Sequence, residues 1–105
     1  MNLRMDYLYR DAGNYKNWGE VVFANPNRVP AIDAEKLVVA ELFERQYFFA
    51  ESVGLPDLHF PDHNLELDHC LHEFHAIAET EEVPDDFQGR NIEQLIESLR
   101  SQRPL

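Results

Sequence analysis

Alternating polar and apolar residues open the chain and predict a half-buried strand over residues 4–9. The two faces of this strand would carry Met5, Tyr7 and Tyr9 on one side and Arg4, Asp6 and Leu8 on the other. Residues 11–14 follow with turn-forming Asp, Gly and Asn. A second apolar run over residues 20–24 then predicts the partner strand of a hairpin.

The middle of the chain predicts a helix and then a segment that can be interpreted in two ways. The helix is expected to begin near Asp33, whose carboxylate can cap free main-chain N–H groups. Residues 46–51, which begin with the aromatic run Gln-Tyr-Phe-Phe-Ala, could form a third strand. They could also continue the helix until Gly54 and Pro56 stop it. We favour the strand.

The C-terminal helix has the clearest pattern. Its apolar stripe consists of Ile92, Leu95, Ile96 and Leu99. Asn91 and Gln94 have the spacing of a capping box, and Arg100 and Arg103 suit the negative end of the helix dipole. The chain is therefore predicted to be a single α+β domain over residues 1–105. We expect a small antiparallel sheet of three to four strands with two helices packed on one face, in the order β-β-α-β-β-α.

Residues 59–75 contain all five histidines and the one cysteine, and their backbone can be interpreted in two ways. As a strand, one face would carry Cys70, His72, Phe74, Ala76 and Ala78, and the other Leu71, Glu73, His75, Ile77 and Glu79. As a helix, the segment would gather His69, His72 and Glu73 on one side. We favour the strand for residues 70–80, which sends His72 inward and Glu73 with His75 outward.

This segment contains the candidate metal ligands His69, His72, Glu73 and His75. Imidazole nitrogens and carboxylate oxygens suit a divalent transition metal, and a locally acidic chain favours a dication. The spacing His72-Glu73-Phe74-His75 is one residue short of the helical zinc-protease motif. His59 and His63 lie among Pro61 and Asp62 in an expected loop, so they need not reach the later histidines.

Catalysis by the same residues is a weaker hypothesis. His75 with Glu73 could act as a general base, and Cys70 could be a nucleophile beside His69 or His72. No pattern in the sequence predicts a substrate pocket, and a buried structural cysteine is more common than a reactive one. We therefore expect a non-enzymatic protein rather than an enzyme, with no cofactor other than the candidate metal.

Charge is distributed unevenly along the chain. The net charge is −11, and residues 46–89 hold eleven acidic residues and no Lys or Arg, so they account for all of it. This field opposes binding to a phosphate backbone, and direct nucleic-acid binding is not expected. We interpret residues 51–86 as an acidic interaction surface that meets a basic protein or a second copy of this chain.

A second candidate recognition element lies in the first hairpin. Residues 9–18 concentrate basic, amide and aromatic side chains, which could stack on a ligand and pair with its charge. The candidate residues are Arg10, Asn14, Tyr15, Lys16 and Trp18. The alternative is a hairpin loop whose Asp11 and Asn14 bond their own backbone.

The lone Cys70 excludes an internal disulfide and suits a reducing compartment. The N-terminus lacks a long apolar run, so we expect neither a signal peptide nor a membrane span, and a cytoplasmic protein.

Short motifs also suggest a relationship. The segment Tyr9-Arg10-Asp11-x-x-Asn14-Tyr15-Lys16, followed by Gly19-x-Val-Val-Phe23, resembles a set of small uncharacterised bacterial proteins. Further similarity lies around residues 53–57 and at His72-Glu73-Phe74. The resemblance implies a bacterial, cytoplasmic, free-standing domain, and it assigns no functional residue.

Overall fold

A computed structural model describes residues 1–61 and 71–102. The elements follow in the order β1 Asn2–Arg10, β2 Lys16–Phe23, α1 Ala31–Ala40, β3 Tyr47–Phe48, β4 His72–Thr80 and α2 Ile92–Arg100. The strands form one antiparallel sheet in the order β2-β1-β4-β3. This confirms the predicted α+β class and the β-β-α-β-β-α order.

The hairpin of β1 and β2 supplies one apolar face of the sheet. Leu3 pairs with Phe23 and Met5 with Val21, and all four side chains are buried. The connecting turn is closed by Asp11, whose carboxylate accepts a hydrogen bond from the Tyr15 N–H at 2.9 Å. Both strands are longer than the alternation predicted. Lys16 and Trp18 therefore belong to β2 rather than to the loop.

Strand β4 confirms the strand interpretation, with one change in its faces. Tyr7 pairs with Phe74, but Asp6 pairs with Ala76, so a bulge places His75 between two paired residues. The bulge reverses the alternation beyond His75. As a result Ile77, rather than Ala76 or Ala78, joins the core opposite Met5. The expected face assignment was wrong after the bulge.

Both helices pack on the face of the sheet that carries Leu3, Met5 and Tyr7. The predicted stripe of α2 is buried in full, and the capping box of Asn91 and Gln94 is present in both directions. Helix α1 begins at Ala31 behind Pro30, and no side chain caps it. The expected cap role of Asp33 was wrong, because this residue lies inside the first turn.

Strand β3 is shorter than predicted, with only Tyr47 and Phe48 paired to β4. Glu44 and Arg45, both with positive φ, form a tight turn that leads into it. Phe48 is fully buried and delivers its ring to the core.

Candidate functional site

His72 begins β4 and points into the core. Its side chain is 1% exposed and packs beside Tyr7, Tyr9 and Phe48, with ring centroids 5.3–6.1 Å apart. Its Nε2 accepts a hydrogen bond from the Leu58 N–H at 2.9 Å. Strand alternation predicted this inward position of His72, and the structure confirms it.

Glu73 lies on the opposite face of the sheet, as the strand pattern predicts. Its side chain is only 9% exposed and pairs with Arg10, whose Nε lies 2.8 Å from Oε1. Arg10 also donates from Nη1 to the Asn14 side-chain oxygen. Glu73 is thus held in an ion pair rather than projecting freely. Through Arg10, this candidate metal ligand is linked to Asn14 of the candidate recognition loop.

The remaining predicted residues lie apart from this network. His75 is exposed, and its ring meets Trp18 edge-on at 4.9 Å. Trp18 is 52% exposed and Tyr15 is 73% exposed. His72 therefore lies on one face of the sheet, and Glu73 and His75 lie on the other. His69 lies outside the described residues. Metal binding by the predicted set of His69, His72, Glu73 and His75 stays a prediction.

A different group meets His72 on the core side. Asp57 and His59 approach it from the segment before residue 61, and the three side chains each offer one ligand atom within 4.8 Å of the others. The sequence left open whether His59 reaches the later histidines, and in the structure its ring centroid lies 5.0 Å from that of His72. The two rings meet because two hydrogen bonds hold the segment against the sheet. Tyr7 Oη donates to the Pro56 carbonyl at 2.7 Å, and Asn17 Nδ2 donates to the Leu58 carbonyl at 3.0 Å.

The charge state of Asp57 follows from its neighbours. Burial would raise the pKa of its carboxyl. Hydrogen bonds from the main-chain N–H and the side chain of His59 outweigh this, with a smaller contribution from His72, so the pKa lies below its usual value. Burial and the Asp57 charge also raise the pKa of the Tyr7 hydroxyl. Asp57 is therefore an anion beside two imidazoles.

Among the described residues, the most exposed large apolar side chains lie in residues 81–89, which we call the acidic loop. Val83 is 81% exposed and Phe87 is 90% exposed. Glu81, Glu82 and Asp85 of the same loop are also exposed. Within the described residues, none of these three carboxylates forms an ion pair. A hollow of about 370 Å³ beside Phe87 is lined also by Gly54, Leu55, Pro56 and Gln88.

The backbone of the acidic loop is fastened at several points. Asn2 Nδ2 donates to the Glu82 carbonyl at 2.9 Å. Asp85 bonds Val22 at the edge of β2 in both directions, at 3.0 Å and 2.7 Å. Asp86 then turns inward, and its buried carboxylate accepts three hydrogen bonds from Arg90 at 2.9 Å each. The loop is thus held in place while Val83 and Phe87 point away from the core.

The acidity of residues 51–86 is evident from the sequence, but the exposed apolar residues within this stretch and the position of Asp57 beside two histidines were not predicted. The only local signal for Val83 and Phe87 is that they are apolar residues in a charged stretch without helical or strand periodicity. Asp62, Glu66 and Asp68 of the acidic stretch lie outside the described residues.

None of the helices in the described part of the chain is long and apolar enough to cross a membrane. Comparison with protein-family models, with curated proteins and with solved structures gave no match to this chain.

Proposed function

We propose that this protein is a cytoplasmic, non-enzymatic interaction module whose acidic loop binds a basic partner segment. The observation that carries the proposal is the exposure of Val83 and Phe87 on a fastened loop rich in carboxylates. Lone exposed apolar residues are ordinary on protein surfaces. Two large ones in one loop, each more than four-fifths exposed, are the kind of anchor that a partner buries.

Fixing the loop in advance favours binding. Ordering a flexible loop at an interface costs free energy, and hydrogen bonds that already hold its backbone reduce that cost. The acidic loop has such bonds at Glu82, Asp85 and Asp86. The hollow beside Phe87 adds a place for an apolar side chain of the partner.

Charge selects the partner. The loop carboxylates attract a segment with Lys or Arg around its apolar residues, and such complementarity speeds encounter and suppresses wrong partners. A second copy of this chain would bring the same net charge of −11 to the interface, so self-association is the less favoured occupant. Nucleic acid is disfavoured for the same reason.

The test measures binding of a short labelled peptide of lysines with two leucines by fluorescence anisotropy, at low and at high salt. The double variant V83S/F87S removes the apolar anchors and leaves every charge in place. I32S is the matched control, because Ile32 is 64% exposed on α1, outside the loop. We expect V83S/F87S to weaken binding at least about tenfold and I32S less than about threefold.

Two further measurements separate charge from anchoring. A peptide with both leucines replaced by serine should bind more weakly, and V83S/F87S should not change its affinity. High salt should weaken both peptides. The proposal fails if no saturable binding occurs at low salt, or if V83S/F87S binds the leucine peptide as wild type does. A dimer that V83S/F87S abolishes would assign the loop to a second copy and would also overturn it.

A further inference from the structure

We infer that Asp57, His59 and His72 form a binding site for a divalent transition-metal ion, which shares only His72 with the set predicted from the sequence. Two imidazoles and one carboxylate supply one nitrogen or oxygen atom each, all within 4.8 Å of one another. This donor set suits Zn²⁺, Co²⁺, Ni²⁺ or Fe²⁺, whereas Ca²⁺ and Mg²⁺ prefer oxygen ligands alone.

The distances match a site that needs only small shifts. Asp57 Oδ1 lies 2.6 Å from His59 Nδ1 and 3.5 Å from His72 Nε2. Ligand atoms about 2 Å from a tetrahedral metal lie a little over 3 Å from each other. The first distance must therefore widen when a metal replaces the hydrogen bond, and the second is already suitable.

The surroundings hold the donors in place. The His59 ring meets Tyr9 edge-on at 4.4 Å, and the His72 ring is enclosed by Tyr7, Tyr9 and Phe48. Side-chain exposure rises from 1% at His72 through 17% at His59 to 37% at Asp57. A metal can therefore enter from the side of Asp57 into a site whose inner wall is apolar, which strengthens its attraction to the carboxylate.

A main-chain N–H competes with the metal for His72. The Leu58 N–H donates to His72 Nε2, the atom that would ligate. Metal binding must turn this N–H away, so the Leu58 peptide group is expected to move when the site fills. The amide signal of Leu58 is therefore a reporter that binding elsewhere on the surface would not shift.

The test titrates untagged, metal-stripped protein with Zn²⁺ by calorimetry and with Co²⁺ by visible absorption. We expect one equivalent to bind, a shifted Leu58 amide signal, and weaker binding in acid because imidazole must be neutral to ligate. H59Q and D57N should each weaken binding at least about tenfold. H72Q is expected to do the same. Because His72 is buried, H72Q is also the variant for which unfolding is the greatest risk.

The matched control is H75Q, because His75 is exposed on the opposite face of the sheet. It should bind as wild type does. The inference is overturned if neither metal binds, or if H75Q loses the metal instead. It is also overturned if folded H59Q and D57N bind the metal less than tenfold more weakly than wild type. These outcomes are independent of the acidic loop, so they leave the proposed interaction untouched.

Discussion

At the scale of single residues, the pair of Asp86 and Arg90 fixes the inner end of the acidic loop. Their side chains are 1% and 7% exposed. Asp86→Asn would leave a buried guanidinium without its anion, and we expect the free energy of unfolding to fall by about 3–5 kcal/mol. Urea denaturation measures this. Glu81→Gln, at an exposed site in the same loop, should stay within about 0.5 kcal/mol of wild type. Equal stability of both variants would contradict the assigned role of the pair.

The Asp86 carboxylate should also make the stability of the protein depend on pH. Burial alone would raise the pKa of Asp86, but hydrogen bonds and charge from Arg90 lower it below its usual value. A lowered pKa in the folded state contributes stability above the pKa of the unfolded chain, about 3.9. That stability is lost as pH falls below about 4 and through the folded pKa. In denaturation experiments between neutral pH and pH 2, the free energy of unfolding of Asp86→Asn should therefore fall less steeply with acid than that of wild type.

At the scale of elements, α2 depends on its cap. Asn91 Oδ1 accepts a hydrogen bond from the Gln94 N–H at 2.8 Å, and Gln94 Oε1 accepts one from the Asn91 N–H at 2.9 Å. Asn91→Ala should cost about 1 kcal/mol of unfolding free energy, since it leaves a helix N–H unsatisfied. Asn91→Ser keeps an acceptor oxygen and should recover most of that loss. Thermal melts of both variants would show this, and equal melting temperatures would argue against a contribution from the capping side chain.

Helix α2 also shows which parts of the fold can be predicted from sequence. Its apolar stripe and capping box are local patterns, and both were correct. The bulge at His75 depends on how β4 pairs with β1, and no local pattern encodes it. The meeting of His59 with His72 likewise depends on the bonds from Tyr7 and Asn17 that return residues 56–58 to the sheet. Contacts between distant segments decide such features.

At the scale of the whole molecule, the uneven charge should make stability depend on salt. Repulsion among carboxylates disfavours the compact state, and added salt screens exposed charges more than buried pairs such as Asp86 with Arg90. We expect NaCl to raise the melting temperature at neutral pH. A screening gain of about 1 kcal/mol corresponds to roughly 4–8 °C for a domain of this size.

The exposed residues Glu79, Glu81 and Glu82 allow this explanation to be tested directly. Replacing all three with glutamine changes the net charge from −11 to −8, since three negative charges are removed. The variant should melt higher than wild type at low salt and respond less to NaCl, because less repulsion remains to be screened. Its unfolding should still be two-state, as the substituted side chains are exposed. An unchanged salt response would mean that repulsion among these carboxylates contributes little to the stability. The acidic loop would then lose its electrostatic basis for choosing a basic partner.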